Sequence, residues 1–143
     1  MLIVIFGENC SGKSTLAERM KEQIGAKLFT GKDYLRLASS ESEAIRRFRK
    51  MLAEATEGEN IIYVCAEPEG LPLLPKGARR IYVKADLDTI KERFRARMHG
   101  NLPPPVEAML ERKHGAFENE AHDFVFDGVH GNAEEFCNKL FKE

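Results

Sequence analysis

The chain has 143 residues, 43% of them hydrophobic and 31% charged, with a formal net charge of −1. That length suits one domain with one core, and so small a net charge gives no electrostatic case for a nucleic-acid polymer or a membrane surface as partner. Three scattered cysteines, Cys10, Cys65 and Cys137, make neither a disulfide framework nor a metal-ligand spacing, and no signal-peptide or membrane-spanning pattern is visible, so a reducing, cytoplasmic setting is expected.

In chain order, the apolar run Leu2 to Phe6 reads as a buried strand, and Leu16, Ala17, Met20 and Ile24 recur at helical spacing up to Gly25. Between them stands Gly7-Glu8-Asn9-Cys10-Ser11-Gly12-Lys13-Ser14, which fits the pattern G-x-x-x-x-G-K-[ST] residue for residue. A loop of this kind folds its backbone N–H groups around a polyphosphate, with Lys13 reaching phosphate oxygens and the Ser14 hydroxyl holding Mg²⁺. The candidate nucleotide-binding residues are therefore Gly7, Asn9, Cys10, Ser11, Gly12, Lys13, Ser14 and Thr15. Cys10, beside a helix N-terminus, is a candidate oxidation-sensitive thiol.

A short second strand from Lys27 to Phe29 runs into a loop, Thr30-Gly31-Lys32-Asp33. Ser40 and Glu43 have capping-box spacing and open a helix with Ala44, Ile45, Phe48, Met51, Leu52 and Ala55 on one face and a basic outer face, ending before Gly58. Ile61 to Cys65 and Arg80 to Lys84 read as the third and fourth strands, with a loop rather than a helix between Pro68 and Gly77. Leu87, Ile90, Phe94 and Met98 mark a helix opened by Asp86 or Asp88, and residues 98–106, with Pro103 to Pro105, read as a short lid stiffened by polyproline. A helix from Val106 to Asn119, a fifth strand from Phe124 to Phe126 and a last helix from Ala133 to Phe141 complete the chain. Near-continuous apolar strands alternating with helices predict a five-stranded parallel sheet covered on both faces, a three-layer α/β/α arrangement. Ligands bind such sheets beyond the carboxyl ends of the strands, so residues just after strands one to four are expected to line one cleft. Arg93 and Arg97, four apart and bordering the apolar stripe of their helix, are candidates to face it.

These motifs together resemble the P-loop kinases of the nucleoside monophosphate kinase group, and the fold implied is that of a P-loop NTPase. Thr30-Gly31-Lys32-Asp33-Tyr34-Leu35-Arg36 is similar to the T-G-x-x-x-R segment of adenylate and cytidylate kinases, with one extra residue before the arginine. From residue 60 onward the order of features resembles guanylate kinase: a strand, a loop ending Glu69-Gly70, a strand, Glu92-Arg93-x-x-x-Arg97, a helix carrying Arg112, and a final strand. The resemblance implies ATP as donor with Mg²⁺, and a small acceptor, a nucleoside monophosphate, that meets Thr30, Asp33 and Arg36. It implies that Arg93, Arg97 and Arg112 stabilise charge on the moving phosphoryl group beside Lys13.

The inserted substrate domain of guanylate kinases is absent, leaving a reduced acceptor region at about 31–58 within a single domain, 1–143. No apolar run ending in Asp follows strand three, so Glu67 is the candidate metal carboxylate beside Ser14. Asp33 is the other acidic candidate, because shikimate kinases place an acidic residue there to orient an accepting hydroxyl. Two alternatives therefore stand beside the nucleotide kinase: a kinase of a hydroxyl-bearing metabolite of the shikimate or gluconate type, and a nucleotide-binding module with little catalysis. Either a monomer or a homodimer fits.

Overall fold

A computed structural model describes residues 1–68, 71 and 74–142 of the chain; the Glu69-Gly70 part of the guanylate-kinase-like pattern lies outside them. Five strands, β1 (Leu2–Phe6), β2 (Lys27–Thr30), β3 (Ile61–Cys65), β4 (Arg79–Lys84) and β5 (Phe124–Asp127), alternate with α1 (Lys13–Ile24), α2 (Glu41–Ala55), α3 (Leu87–Arg97), α4 (Pro104–Lys113) and α5 (Ala133–Phe141). All strand pairs are parallel, in the order β2-β3-β1-β4-β5. The parallel α/β sheet expected from the apolar runs is therefore present, with β1 at its centre. All five residues of β1 and of β3 are buried.

Alternation along the buried strands divides the core in two. On one face Ile3, Ile5, Ile62, Val64, Ile81 and Val83 pack against Leu16 and Met20 of α1 and Cys137 and Leu140 of α5. On the other, Leu2, Val4, Phe6, Tyr63 and Tyr82 meet Phe48, Leu52 and Ala55 of α2 together with Phe117. This is the three-layer arrangement. A smaller cluster, Cys10, Ile90 and Leu110, joins the loop after β1 to α3 and α4. No helix among the described residues is long and apolar enough to cross a membrane.

Helix ends follow local chemistry. Ser40 accepts a hydrogen bond from the Glu43 amide, and Asp86, rather than Asp88, caps α3 by accepting from the amide of Thr89. Three expectations are corrected. The segment after Gly31 is not a plain loop, since Asp33–Leu37 forms a 3₁₀ turn. Residues 98–106 hold no polyproline stretch, because Pro104 and Pro105 occupy the first turn of α4, where a missing N–H costs nothing. That helix then ends at Lys113 rather than Asn119, as His114 takes an extended conformation.

Candidate active site

Gly12 caps the N-terminus of α1 at φ 111°, a left-handed conformation that favours glycine, and contributes no side-chain cap to the helix. The first-turn amides of α1 have no partners within the helix and carry the positive end of its dipole. Leu16 is the first residue of the helix whose amide reaches back to Gly12. The floor of the loop is Lys13, only 7% exposed. Its ammonium donates to the carbonyls of Gly7 and Glu8 at 2.8 and 2.7 Å. Burial pulls its pKa down to about 8, and the nearby Arg97 charge pushes the same way. A cation stripped of water and held by two neutral carbonyls gains most from an approaching polyanion.

Above this floor lies a cleft of about 690 Å³. The phosphate loop and α1 contribute Asn9, Cys10, Gly12, Lys13, Ser14 and Thr15 to its wall; Thr30 and Gly31 enter from the end of β2, Ala66 from beyond β3, and Gly128 and Gly131 from beyond β5. The expected gathering of strand ends thus occurs, with one correction. Residues after β4 do not reach this cleft: Lys84, Ala85 and Asp86 face a separate cavity of about 440 Å³ on the far side of the loop. Their place is taken by the segment after β5, because β5 is the neighbour that follows β4 across the sheet.

Arg93, Ala96 and Arg97 of α3 close the remaining side, as the spacing of the two arginines predicts. They differ in engagement. Arg93 donates from Nη1 to the Cys10 carbonyl at 3.0 Å and from Nη2 to the Gly128 carbonyl at 2.8 Å. Arg97 lines the cleft and has no hydrogen-bond or ion-pair partner among the described residues. Arg112 does not join them. It lines a side cavity of about 180 Å³ together with Glu67, and the Glu67 carboxylate accepts from Lys113 at 3.2 Å. Glu67, just beyond β3, and Arg112, on α4, thus line this side cavity and not the cleft.

At the other end, the Asp33 carboxylate accepts from the Thr30 amide at 3.0 Å through Oδ2, leaving Oδ1 without a protein partner among the described residues. Asp33 itself does not line the cleft, whereas Thr30 and Gly31 do. Arg36 is exposed in the 3₁₀ turn and touches none of these groups. The basic face of α2 is a solvated one, with Arg46 and Arg47 both paired to Glu43.

The cleft wall carries three cations, Lys13, Arg93 and Arg97, and no carboxylate among the described residues. The donor set fits a polyphosphate, and Ser14 at the start of α1, like Thr15 and Thr30, brings a hydroxyl oxygen to the same wall. Mg²⁺ binds through few protein ligands when phosphate oxygens and waters complete its shell.

Three features lie beyond the sequence reading: the packing of Gly128, the contacts of Glu8, and the burial of Ser11, itself one of the candidate nucleotide-binding residues. Gly128 is required by close approach: a Cβ there would stand 1.7 Å from the Ser11 carbonyl oxygen. Glu8, inside the phosphate loop, accepts from the Gly115 amide at 3.2 Å and meets His114 Nδ1 at 3.0 Å, tying the end of α4 to the loop. Ser11 is 1% exposed, and its Oγ is buried without a hydrogen-bond partner among the described residues. Only a glycine two residues beyond a strand, and an acid at a variable position of the motif, marked the first two in the sequence.

No protein-family model matches the chain, and no curated protein matches it in sequence. Its fold is similar to several solved structures. A gluconokinase from Sinorhizobium meliloti is 16% identical, with 99% of this chain and 89% of that one covered and a TM-score of 0.63. The YorR protein of Bacillus subtilis, solved in complex with phosphorylated GDP, is 20% identical over 99% of this chain and 94% of its own, with a TM-score of 0.66. A shikimate kinase from Bacteroides thetaiotaomicron is 16% identical over 99% and 96%, with a TM-score of 0.62. At such identities the likeness is one of fold. The five-stranded parallel arrangement is that of these P-loop kinases.

Proposed function

We propose that the protein is a small-molecule kinase that moves the terminal phosphoryl group of ATP to a hydroxyl group of a metabolite. The observation that carries the reading is the desolvated Lys13 ammonium beneath the uncapped N-terminus of α1, at the floor of a cleft that opens at Thr30 and Gly31. Phosphoryl transfer asks little covalent chemistry of a protein and much charge placement and positioning. Lys13 exchanges its two carbonyl partners for β and γ phosphate oxygens, and the first-turn amides of α1 hold the remaining oxygens. Arg97, free of protein partners, neutralises charge on the moving group. Mg²⁺, held by the Ser14 hydroxyl, supplies further neutralisation of the phosphates when bound. The acceptor oxygen attacks the γ phosphorus, the bond to the β–γ bridging oxygen breaks, and the hydroxyl proton passes to the free Oδ1 of Asp33. Support for a hydroxyl acceptor comes from the gluconokinase and shikimate kinase among the fold neighbours; Asp33 is hydrogen-bonded to the wall residue Thr30, and its part in the reaction requires the acceptor to reach past that wall.

A second reading, a nucleoside monophosphate acceptor, is favoured by the wholly cationic cleft wall, since an acceptor phosphate needs no base to remove a proton. The YorR structure with phosphorylated GDP points the same way.

The test offers purified protein and Mg-ATP a panel of sugar acids, polyols, shikimate and nucleoside monophosphates while ADP is followed. Stimulation by a hydroxyl compound, lost in Lys13→Ala and lowered roughly 10²–10⁴-fold in Asp33→Asn, supports the main reading. Stimulation by monophosphates alone, indifferent to Asp33→Asn, replaces it with the second. Tight ATP binding without stimulation by any acceptor refutes both and leaves a nucleotide-binding module.

A further inference from the structure

Cys10 occupies φ 64°, a left-handed conformation that a non-glycine residue keeps only when its surroundings enforce it. Two groups of α3 supply that enforcement. The Ile90 side chain packs with Cys10, whose thiol side is 7% exposed, and one turn further on Arg93 hydrogen-bonds the Cys10 carbonyl. The same guanidinium holds the Gly128 carbonyl, and Gly128 in turn lies against the Ser11 carbonyl and donates its amide to Lys84. Arg93 therefore bridges two loops that leave different strands, committing two of its five N–H donors to their backbone carbonyls.

We propose that Arg93 is a positioning residue: it clasps the strained phosphate loop to the segment after β5 and so presets the loop for the nucleotide, leaving Arg97 alone to meet the transferring phosphoryl group. Guanidinium geometry is what the role needs, since a fork of two nitrogens spans two carbonyls where a lysine ends in one. Charge as such is secondary.

The test compares Arg93→Gln, Arg93→Lys and Arg97→Gln. In nucleotide-free protein, alkylation of Cys10 by iodoacetamide is followed by peptide mapping, which separates it from Cys65 and Cys137. Loss of the clasp is expected to raise the Cys10 rate about tenfold or more in both Arg93 variants, because the loop then opens locally, and to leave it unchanged in Arg97→Gln. With ATP, both Arg93 variants raise the Kd and KM by more than they lower kcat, whereas Arg97→Gln lowers kcat. Should Arg93→Gln fail to fold, Arg93→Lys carries the same comparison. Unchanged Cys10 protection in the Arg93 variants overturns the proposal, as does a kcat lost in Arg93→Gln and restored in Arg93→Lys. The kinetic arm rests on the kinase reading above; the thiol arm needs no nucleotide, so failure of that reading is told apart from failure of this one.

Discussion

Replacing Gly128 by alanine tests the contact on which the cleft depends. The added Cβ would lie 1.7 Å from the Ser11 carbonyl oxygen and 3.1 Å from that of Lys84, where ordinary contact begins at 3.4 Å. Both neighbours are backbone and cannot rotate aside, so the two loops must part. Parting them breaks the Gly128 amide bond to Lys84 at 2.7 Å and the Arg93 bond to the Gly128 carbonyl at 2.8 Å. A neutral hydrogen bond contributes about 1 kcal/mol and one to a charged group about 1.5–3, while overpacking adds roughly 1–3. The expected loss is about 3.5–7 kcal/mol, a large fraction of a typical stability, and the melting temperature falls by roughly 10 °C or more. Urea unfolding supplies the free energy and calorimetry the ATP affinity, which should weaken at least tenfold. Gly25→Ala is the control: it too carries a positive φ, 63°, but a Cβ there meets nothing within 4 Å, so only about 1 kcal/mol of backbone strain is expected. If Gly128→Ala is no more costly than Gly25→Ala and binds ATP normally, the two loops do not touch and the reasoning fails.

Other expectations concern the loop's own charges. Because burial holds the Lys13 pKa near 8 in the folded protein against 10.5 for the free side chain, its charged form opposes folding at neutral pH. That penalty, on the order of 3 kcal/mol, is relieved as pH rises from about 8 towards 10.5. Lys13→Met should flatten the pH dependence of stability in that window, and an unchanged slope would contradict the assignment. A bound polyphosphate restores the charged form, so ATP binding at about pH 8.5 should take up protons; calorimetry in buffers of different ionisation enthalpy reads this directly, and a buffer-independent heat would argue against it. Glu8→Ala removes the bonds to His114 and the Gly115 amide. It should cost about 1–3 kcal/mol, with faster amide exchange at Gly115 and no change in α5.

The donor half of the cleft was legible because its chemistry is local: Gly7 to Ser14 are contiguous, and the strand before them and helix after them carry unmistakable periodicity. The strands were legible for the same reason, as their burial on both faces leaves apolar runs with no polar interruption. Misreadings arose where meaning depends on distant chain. Pro104 and Pro105 read equally as a stiff lid or as a helix start, and only the turn they enter decides. Arg93, Arg97 and Arg112 look alike in sequence, yet one is bound to two carbonyls, one is free in the cleft, and one faces a different cavity. Glu67 was chosen by its position after β3, but Lys113, forty-six residues away, claims its carboxylate. Gly128 was legible only as a glycine after the last strand, because its constraint is the Ser11 carbonyl of another loop.

The strand order places β2 at one margin of the sheet and β5 at the other, with β1 and its loop between them. What enters by Thr30 and what rests near Gly131 are therefore governed by stretches of chain that share no strand. The stretch from Gly31 to Asn60 is anchored mainly by Phe48, Leu52 and Ala55 on the sheet face. Under the proposed kinase reading it is an exchangeable cassette: a graft that keeps those three anchors and the strands beside it is expected to change which acceptor stimulates ADP release and to leave the ATP affinity unaltered.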